Sequence, residues 1–243
     1  LRRQRQMCIR DSPDTQQFVY QAHPLDKIEI IGRILQANDV EKVIIFCRTK
    51  RACQRLSDDL NDRGFKARAI HGDLTQVARE KALKKFRHDD ASILVATDVA
   101  ARGIDVTGVS HVINHECPED EKTYVHRIGR TGRAGAKGVA VTLVDWADVA
   151  RWKLIDKALN LKLSGPVETY STSAHLYADL DIPEGAGGQI AGVGVTDTDK
   201  TGGSTATAKV APTVRKPRGD ALAMIPTMGT EYAESAFAAV TAK

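Results

Sequence analysis

The chain has 243 residues, 42% of them hydrophobic and 5% aromatic, and a formal net charge of +4 at pH 7. Its hydrophobic content is enough for one substantial core, and its basic balance suits a nucleic-acid partner without requiring one. No apolar run reaches the roughly 20 residues that a membrane-spanning helix needs, so no membrane partner is expected.

The first half of the chain alternates short apolar strands with amphipathic helices. Residues 18–20 are predicted as the first strand, and apolar side chains at helical spacing predict a helix over 25–36. Residues 43–46 form a continuous apolar run, as expected for a strand buried on both faces of a parallel sheet. A helix over 52–60 that Gly64 ends, a strand over 67–70 and a helix over 77–86 capped by Thr75 follow.

The second half continues with strands over 92–96, 109–113 and 138–144 and helices over 120–128 and 146–159. This alternation predicts βαβ units, and so an α/β fold with a mostly parallel sheet. Because ligands of such sheets gather at the carboxyl ends of the strands, the loop residues Thr49, Gly72 and Thr97 are expected to share one functional rim.

The composition changes after Pro183, where glycine, alanine and threonine dominate and large apolar residues become rare. Such a stretch buries too little surface to offset its ordering entropy, which predicts disorder. The basic cluster at 215–218 is interpreted as solubilising, with a weak RNA tether as the alternative, and 231–240 as a short helix. The predicted organisation is a linker or foreign segment at 1–14, a folded domain at 15–165, an extension at 166–183 and a disordered tail at 184–243.

The four cysteines, Cys8, Cys47, Cys53 and Cys117, form no Cys-x-x-Cys pair and have no histidine at zinc-ligand spacing. Cys47 lies in an apolar strand and is expected to be a small core residue. This usage is typical of a reducing cytoplasm and predicts neither a disulfide nor a bound metal.

Residues 126–133 read His-Arg-Ile-Gly-Arg-Thr-Gly-Arg and place arginines at three-residue intervals, with a glycine before each of the last two. A guanidinium stays charged and presents a fork that matches phosphate oxygens, while glycine lets the backbone approach a ligand. Such a cluster suits the charge that develops when a nucleoside triphosphate is hydrolysed. A solvated basic loop is the alternative, and the run Thr-Asp-Val-Ala-Ala-Arg-Gly-Ile-Asp at 97–105 disfavours it.

These two runs resemble motifs VI and V of the DEAD-box RNA helicases. Residues 43–50 are similar to motif IV, and residues 70–74 with Gln76 and Arg79 to the family's glycine block and Gln-x-x-Arg element. The resemblance covers roughly residues 15–183. It implies an ATP-dependent RNA-unwinding motor of two RecA-like domains, of which the chain resembles the second.

The chain contains no Gly-x-x-x-x-Gly-Lys-[Ser/Thr] phosphate loop and no Asp-Glu-Ala-Asp sequence, and it begins at Leu1. It is therefore interpreted as the C-terminal part of a longer enzyme. Its cofactor is expected to be ATP with Mg²⁺, and the Mg²⁺ ligands are expected in a missing N-terminal RecA-like domain. By itself the chain is expected to hydrolyse essentially no ATP.

The resemblance implies that Arg130 and Arg133 are catalytic and contact the γ-phosphate of ATP, and that Gly103 and Asp105 contribute to ATP binding, with Asp105 near the ribose. A structural arginine–carboxylate pair and a loop-capping aspartate are the alternatives. Asp98, Arg102, His126 and Arg127 are expected to couple the two domains, although a single histidine so placed can also be a satisfied hydrogen-bonding residue.

The residues that match the family's RNA-facing positions are Thr49, Gly72, Gln76, Arg79 and Thr97. Small hydroxyls, an exposed backbone N–H and one arginine suit phosphates and sugars rather than base edges. Few aromatic residues are available for base stacking, so binding is expected to tolerate any sequence. Exposed residues on the first turn of a helix are the alternative for Gln76 and Arg79.

Two other functions stay open. The chain could act as an isolated RNA-binding or regulatory fragment without catalytic activity. It could also belong to a superfamily-2 translocase that acts on DNA, but the DNA relatives usually vary the 126–133 run, which here has the RNA-helicase form.

Overall fold

Seven parallel strands form one sheet in the order β3-β4-β2-β5-β6-β1-β7. The strands are β1 Thr15–Gln21, β2 Lys42–Cys47, β3 Ala67–Ile70, β4 Ile93–Thr97, β5 Val109–Asn114, β6 Gly138–Val144 and β7 Val167–Glu168. Every pair of neighbouring strands is parallel, which confirms the α/β class and the parallel sheet.

The computed structural model describes residues 15–88, 92–102, 104, 106–133, 135–161, 163 and 165–190, all in the first of the chain's two structural units, Leu1–Thr196. The predictions for 1–14, for disorder beyond residue 190, for the basic cluster and for the helix at 231–240 lie outside these residues. The predicted domain boundaries stay predictions. None of the helices in the described part has the length and apolar character needed to cross a membrane.

Helices α1 to α6 lie between successive strands of the chain, and α7 follows the last strand. They are α1 Lys27–Ile34, α2 Lys50–Asp62, α3 Gln76–Arg87, α4 Asp98–Ala101, α5 Glu121–Ile128, α6 Val149–Leu159 and α7 Ala174–Asp179, and a 3-10 turn at Trp146–Asp148 precedes α6. The sequence did not predict α4, β7 or α7. Elements of two to six residues show too few repeats of a hydrophobic period to be recognised.

The middle of the sheet is the core of the domain. Strand β2 is buried from Val43 to Cys47, and its neighbour β4 from Ile93 to Ala96. These are the continuous apolar runs that a strand covered on both faces requires. The prediction that Cys47 is a core residue is confirmed, because its side chain is fully buried.

Candidate functional site

The ends of three adjacent strands form a polar rim. Thr49 follows β2 and caps α2, where its Oγ1 accepts the N–H of Ala52 at 3.1 Å. Thr97 is the last residue of β4 and the N-cap of α4, without a capping bond from its side chain. Since Cys47 and Thr97 are register partners, the two threonines lie at neighbouring strand ends. The structure thus places them on one edge of the sheet, as the strand-end rule predicts.

Gly72 lies on the same rim, beyond β3. A Cβ built on it would meet no atom within 4 Å, so packing does not require glycine there. Gln76 on α3 is exposed and donates to Glu80 Oε1 at 2.7 Å. Arg79 is half-buried, and its Nη2 donates to the carbonyl of Ala100 in α4. The rim therefore has an open backbone at Gly72 and an arginine, Arg79, that is hydrogen-bonded to α4.

Arg127, near the end of α5, is a buried internal cross-link. Its Nε and Nη2 each donate to a different oxygen of Asp98 at 2.7 Å. Its Nη1 lies 3.2 Å from Asn114 Oδ1 and from the carbonyl of Glu116, and its guanidinium is 5.3 Å from the centre of the Phe46 ring. The side chain is 2% exposed, so its contacts are with its own domain.

The turn after α5 depends on its glycines. Gly132 has a φ of 63°, a conformation that favours glycine. The buried Thr131 Oγ1 donates to the carbonyl of Val109 at 2.6 Å. A Cβ on Gly138 would lie 2.3 Å from that hydroxyl oxygen, so the turn packs directly on the start of β6. This packing anchors the turn that carries Arg130 and Arg133 to the start of β6.

Arg130 and Arg133 differ from Arg127 because neither has a carboxylate partner among the described residues. Arg130 is half-buried and its Nη1 donates to the carbonyl of Ile104 at 2.9 Å. Arg133 is exposed and its Nε donates to the carbonyl of Gly129 at 2.6 Å. Burial first, and then the charge of Arg133, lower the pKa of Arg130 below its ordinary value. The turn is thus electropositive, and no described carboxylate pairs with either arginine.

Arg130 lines two clefts. One has a volume of about 260 Å³ and also contacts Asp98, Arg102, Thr123 and His126. The other, about 710 Å³, lies at the amino ends of β1, β5 and β6 and includes Arg133, Lys137 and His111. Arg102 and His126 are exposed at the smaller cleft. Gly103 and Asp105 lie outside the described residues.

Sequence reasoning missed the groups that surround Arg127. Asn114 is a fully buried polar residue at the end of β5, and its Nδ2 donates to Thr142 Oγ1 at 2.9 Å. Glu116 follows it. Although burial acts to raise the pKa of Glu116, the neighbouring His115 and the backbone N–H of Arg48 lower it to about 2. The sequence signal that could have indicated these groups was Asn114, a polar residue at the end of an apolar strand.

Residues 26–135 match the family described as helicase conserved C-terminal domain. The DEAD-box ATP-dependent RNA helicase CshA of Bacillus cereus is 46% identical over 151 residues, which are 62% of this chain and 29% of that protein. The enzyme of the same name from Geobacillus kaustophilus is also 46% identical, over 62% of this chain and 32% of that protein. The chain therefore spans about a third or less of the length of these relatives.

Solved structures agree with the sequence comparison. The Escherichia coli DEAD-box protein SrmB, bound to regulator of ribonuclease activity A, is 31% identical with a TM-score of 0.59, over 67% of this chain and 92% of that one. A DEAD box protein from Methanococcus jannaschii is 41% identical with a TM-score of 0.57, over 61% of this chain and 41% of that one.

Proposed function

Because the chain belongs to the DEAD-box RNA helicases, of which it contains the C-terminal RecA-like domain, we propose that it is one half of an ATP-driven RNA-unwinding motor. The other half is a RecA-like domain that binds ATP and Mg²⁺. The observation that carries this proposal is the state of Arg130, a half-buried cation between two clefts with no carboxylate partner among the described residues.

Arg130 is the proposed arginine finger. Phosphoryl transfer spreads negative charge over the γ-phosphate oxygens, and a guanidinium presented by a second domain stabilises that charge. The bond from Arg130 to the Ile104 carbonyl orients the guanidinium but leaves its charge uncompensated. Most of its five N–H donors stay available for a phosphate. Arg133 adds positive charge beside it, and the resemblance of residues 97–105 to motif V is the basis for proposing Gly103 and Asp105 as further ATP contacts.

The rim of Thr49, Gly72 and Thr97 is the proposed RNA surface, with Gln76 and Arg79 beside it. Hydroxyls and an open backbone bind phosphates and sugars rather than bases, so binding tolerates any sequence. Preference for RNA over DNA then depends on contacts with the 2′-hydroxyl. Arg79 contributes with the donors that its bond to Ala100 leaves free.

The two surfaces are connected through α4 and α5. Thr97 on the rim precedes Asp98, which holds Arg127 by two hydrogen bonds of 2.7 Å, and Arg130 follows three residues later. Closure of the ATP-binding domain on Arg130 would therefore be transmitted through Arg127 and Asp98 to the proposed RNA surface. Arg102 and His126 are the proposed contacts with that domain at the smaller cleft. The cysteine usage leads us to place the enzyme in the cytoplasm.

The test is RNA-stimulated ATP turnover of the chain fused to a DEAD-bearing first domain. Arg130→Ala should lower kcat at least about a hundredfold, because an arginine finger contributes on the order of 10³–10⁵ in rate. Arg55→Ala is the matched control, since its side chain is 85% exposed on α2 and its removal deletes the same charge.

Four outcomes separate the alternatives. RNA-dependent turnover that collapses only in Arg130→Ala supports the motor and the arginine finger. Equal turnover in both variants removes Arg130 from catalysis. RNA binding by the unfused chain, with no turnover in any fusion, favours an RNA-binding or regulatory fragment instead, and a strict preference for DNA favours a DNA translocase.

A further inference from the structure

Three metal-ligating side chains meet at the carboxyl edge of two adjacent strands. Cys47 is the last residue of β2, and His115 and Glu116 come directly after β5. One ligand atom from each of the three lies within 4.8 Å of the other two. None of these side chains takes part in the proposed ATP or RNA contacts.

Two ligand atoms of this cluster are buried and make no hydrogen bond within the described part of the chain. Nδ1 of His115 is buried and makes no hydrogen bond with any described residue. Cys47 is fully buried, and no hydrogen bond of its thiol is found in the described part of the chain. By contrast, the Sγ of Cys53 is 3.1 Å from the carbonyl of Val95. Buried polar atoms are normally paired, so a ligand shared by Cys47 and His115 would satisfy both.

The spacing of the donor atoms fits a metal ion better than an internal hydrogen bond. His115 Nδ1 and Glu116 Oε2 are 3.4 Å apart. A charge-assisted N–H···O bond is shorter, at about 2.7–2.9 Å. Two ligands bound tetrahedrally at about 2.1 Å from one ion are separated by about 3.4 Å. Oε2 also accepts the backbone N–H of Arg48 at 2.8 Å, which orients the carboxylate.

The local charges leave room for a divalent cation. Lys27 pairs with Asp145 at 2.7 Å, and Arg127 pairs with Asp98 at 2.7 Å, so each nearby cation has its own carboxylate. The Glu116 carboxylate supplies one negative charge, and a Cys47 thiolate would supply a second. Burial raises the pKa of the Cys47 thiol, and a bound ion would displace its proton.

We propose that Cys47, His115 and Glu116 bind one transition-metal ion of the Zn²⁺ class. Thiolate, imidazole and carboxylate are the ligands that Zn²⁺ takes in proteins, and water would complete a tetrahedral site. His115 and Glu116 are partly exposed, with 20% and 18% of their side chains accessible, and they provide the entry path. The ion would join the end of β2, which leads to Thr49, with the loop whose Glu116 carbonyl accepts a hydrogen bond from Arg127.

The test uses Co²⁺ as a spectroscopic substitute for Zn²⁺ in the full 243-residue chain, after removal of metals with a chelator. One equivalent of Co²⁺ should produce a thiolate-to-cobalt charge-transfer band in the near ultraviolet, and added Zn²⁺ should abolish it. Cys47→Ser should remove the band. Cys53→Ser and Cys8→Ser are the matched controls and should keep it.

Because Cys47 is buried, its substitution can disturb folding, so a second variant is needed to test metal binding. His115→Ala lies at the accessible side of the cluster, and it should weaken Co²⁺ binding at least tenfold while the circular dichroism spectrum stays that of the parent chain. Zn²⁺ should also raise the Tm of the parent chain but not of His115→Ala. Absence of the band in the parent chain, or a band that survives Cys47→Ser, would overturn the proposal.

Discussion

The end of α5 and the turn that follows it carry arginines in opposite surroundings. Arg127 is 2% exposed and bonded to Asp98, Asn114 and the Glu116 carbonyl. Arg130, three residues later, makes one hydrogen bond to a carbonyl and borders two clefts. The same residue type therefore has two environments: one guanidinium cross-links the domain, and the other lies half-buried at two clefts, where we propose that it binds ATP.

The physical reason lies in the cost of an unpaired buried charge. A guanidinium enclosed by protein must have its charge and donors satisfied, and Asp98 and Asn114 do this for Arg127. A guanidinium at a cleft can donate its hydrogen bonds to water, and a bound anion can replace that water. Substitution of Arg127 should therefore lower the free energy of unfolding, and substitution of Arg130 should lower the rate of ATP hydrolysis.

The largest expected effect on stability follows from Arg127→Ala. Removing the buried arginine leaves the Asp98 carboxylate without its ion pair and Asn114 Oδ1 without its donor, so the free energy of unfolding should fall by about 3–5 kcal/mol. Urea denaturation of the 243-residue chain measures it. Arg130→Ala is the matched control and should change the value by no more than about 0.5 kcal/mol. Equal losses in the two variants would erase the distinction between the arginines.

A smaller effect is expected where the turn packs on β6. A Cβ on Gly138 would lie 2.3 Å from Thr131 Oγ1 and 2.4 Å from the Gly132 nitrogen. Gly138→Ala should therefore cost about 1–3 kcal/mol, the usual range for overpacking. Thermal or urea unfolding measures the change. Gly72→Ala has open space around it and should be nearly neutral, and a similar cost at Gly72 would contradict the packing described for the turn.

The smallest effect concerns the start of α5. Asp120 Oδ1 accepts the N–H of Thr123 at 2.7 Å, and this bond lowers the pKa of Asp120. Asp120→Ala should cost about 1 kcal/mol, the usual value for an N-cap. Because the folded-state pKa is depressed, the charge-dependent part is present above the unfolded-state value and is lost as the pH falls through the folded-state value.

Asp120→Asn keeps the cap without the charge and serves as the control for that prediction. Its stability, measured by urea unfolding at several pH values, should change less in acid than that of the parent chain. A parent chain and an Asp120→Asn variant with identical pH profiles would show that the carboxylate charge at this cap has no role.

The long elements were predictable because their signals are local. The bounds of β3 and β6 agree with the sequence prediction, and those of β2 and β4 each differ from it by one residue at both ends. Runs of β-branched and apolar residues identify such strands without any knowledge of their neighbours. The order of the strands in the sheet cannot be predicted from such runs, because β1 pairs with β6 and the two strands are far apart in the chain.

The candidate site was predictable in part. The shared rim of Thr49 and Thr97 follows from the rule that ligands gather at the carboxyl ends of parallel strands. The burial of Arg127 could not be predicted from the sequence, because its partners come from α4, β5 and the loop after β5. The cluster of Cys47, His115 and Glu116 escaped notice for the same reason. Its members are distant in the chain, and spacing rules detect only ligands that are close in sequence.

By itself the sequence determined the α/β class and the motifs that mark a DEAD-box helicase domain, because periodicity and motif spacing are properties of short segments. Only the tertiary structure decided which arginine is buried and which faces a cleft. It also decided that the cysteine ending β2 lies beside the histidine and glutamate that follow β5. The environment of a side chain depends on the packing of elements far apart in the chain, and no local pattern records that packing.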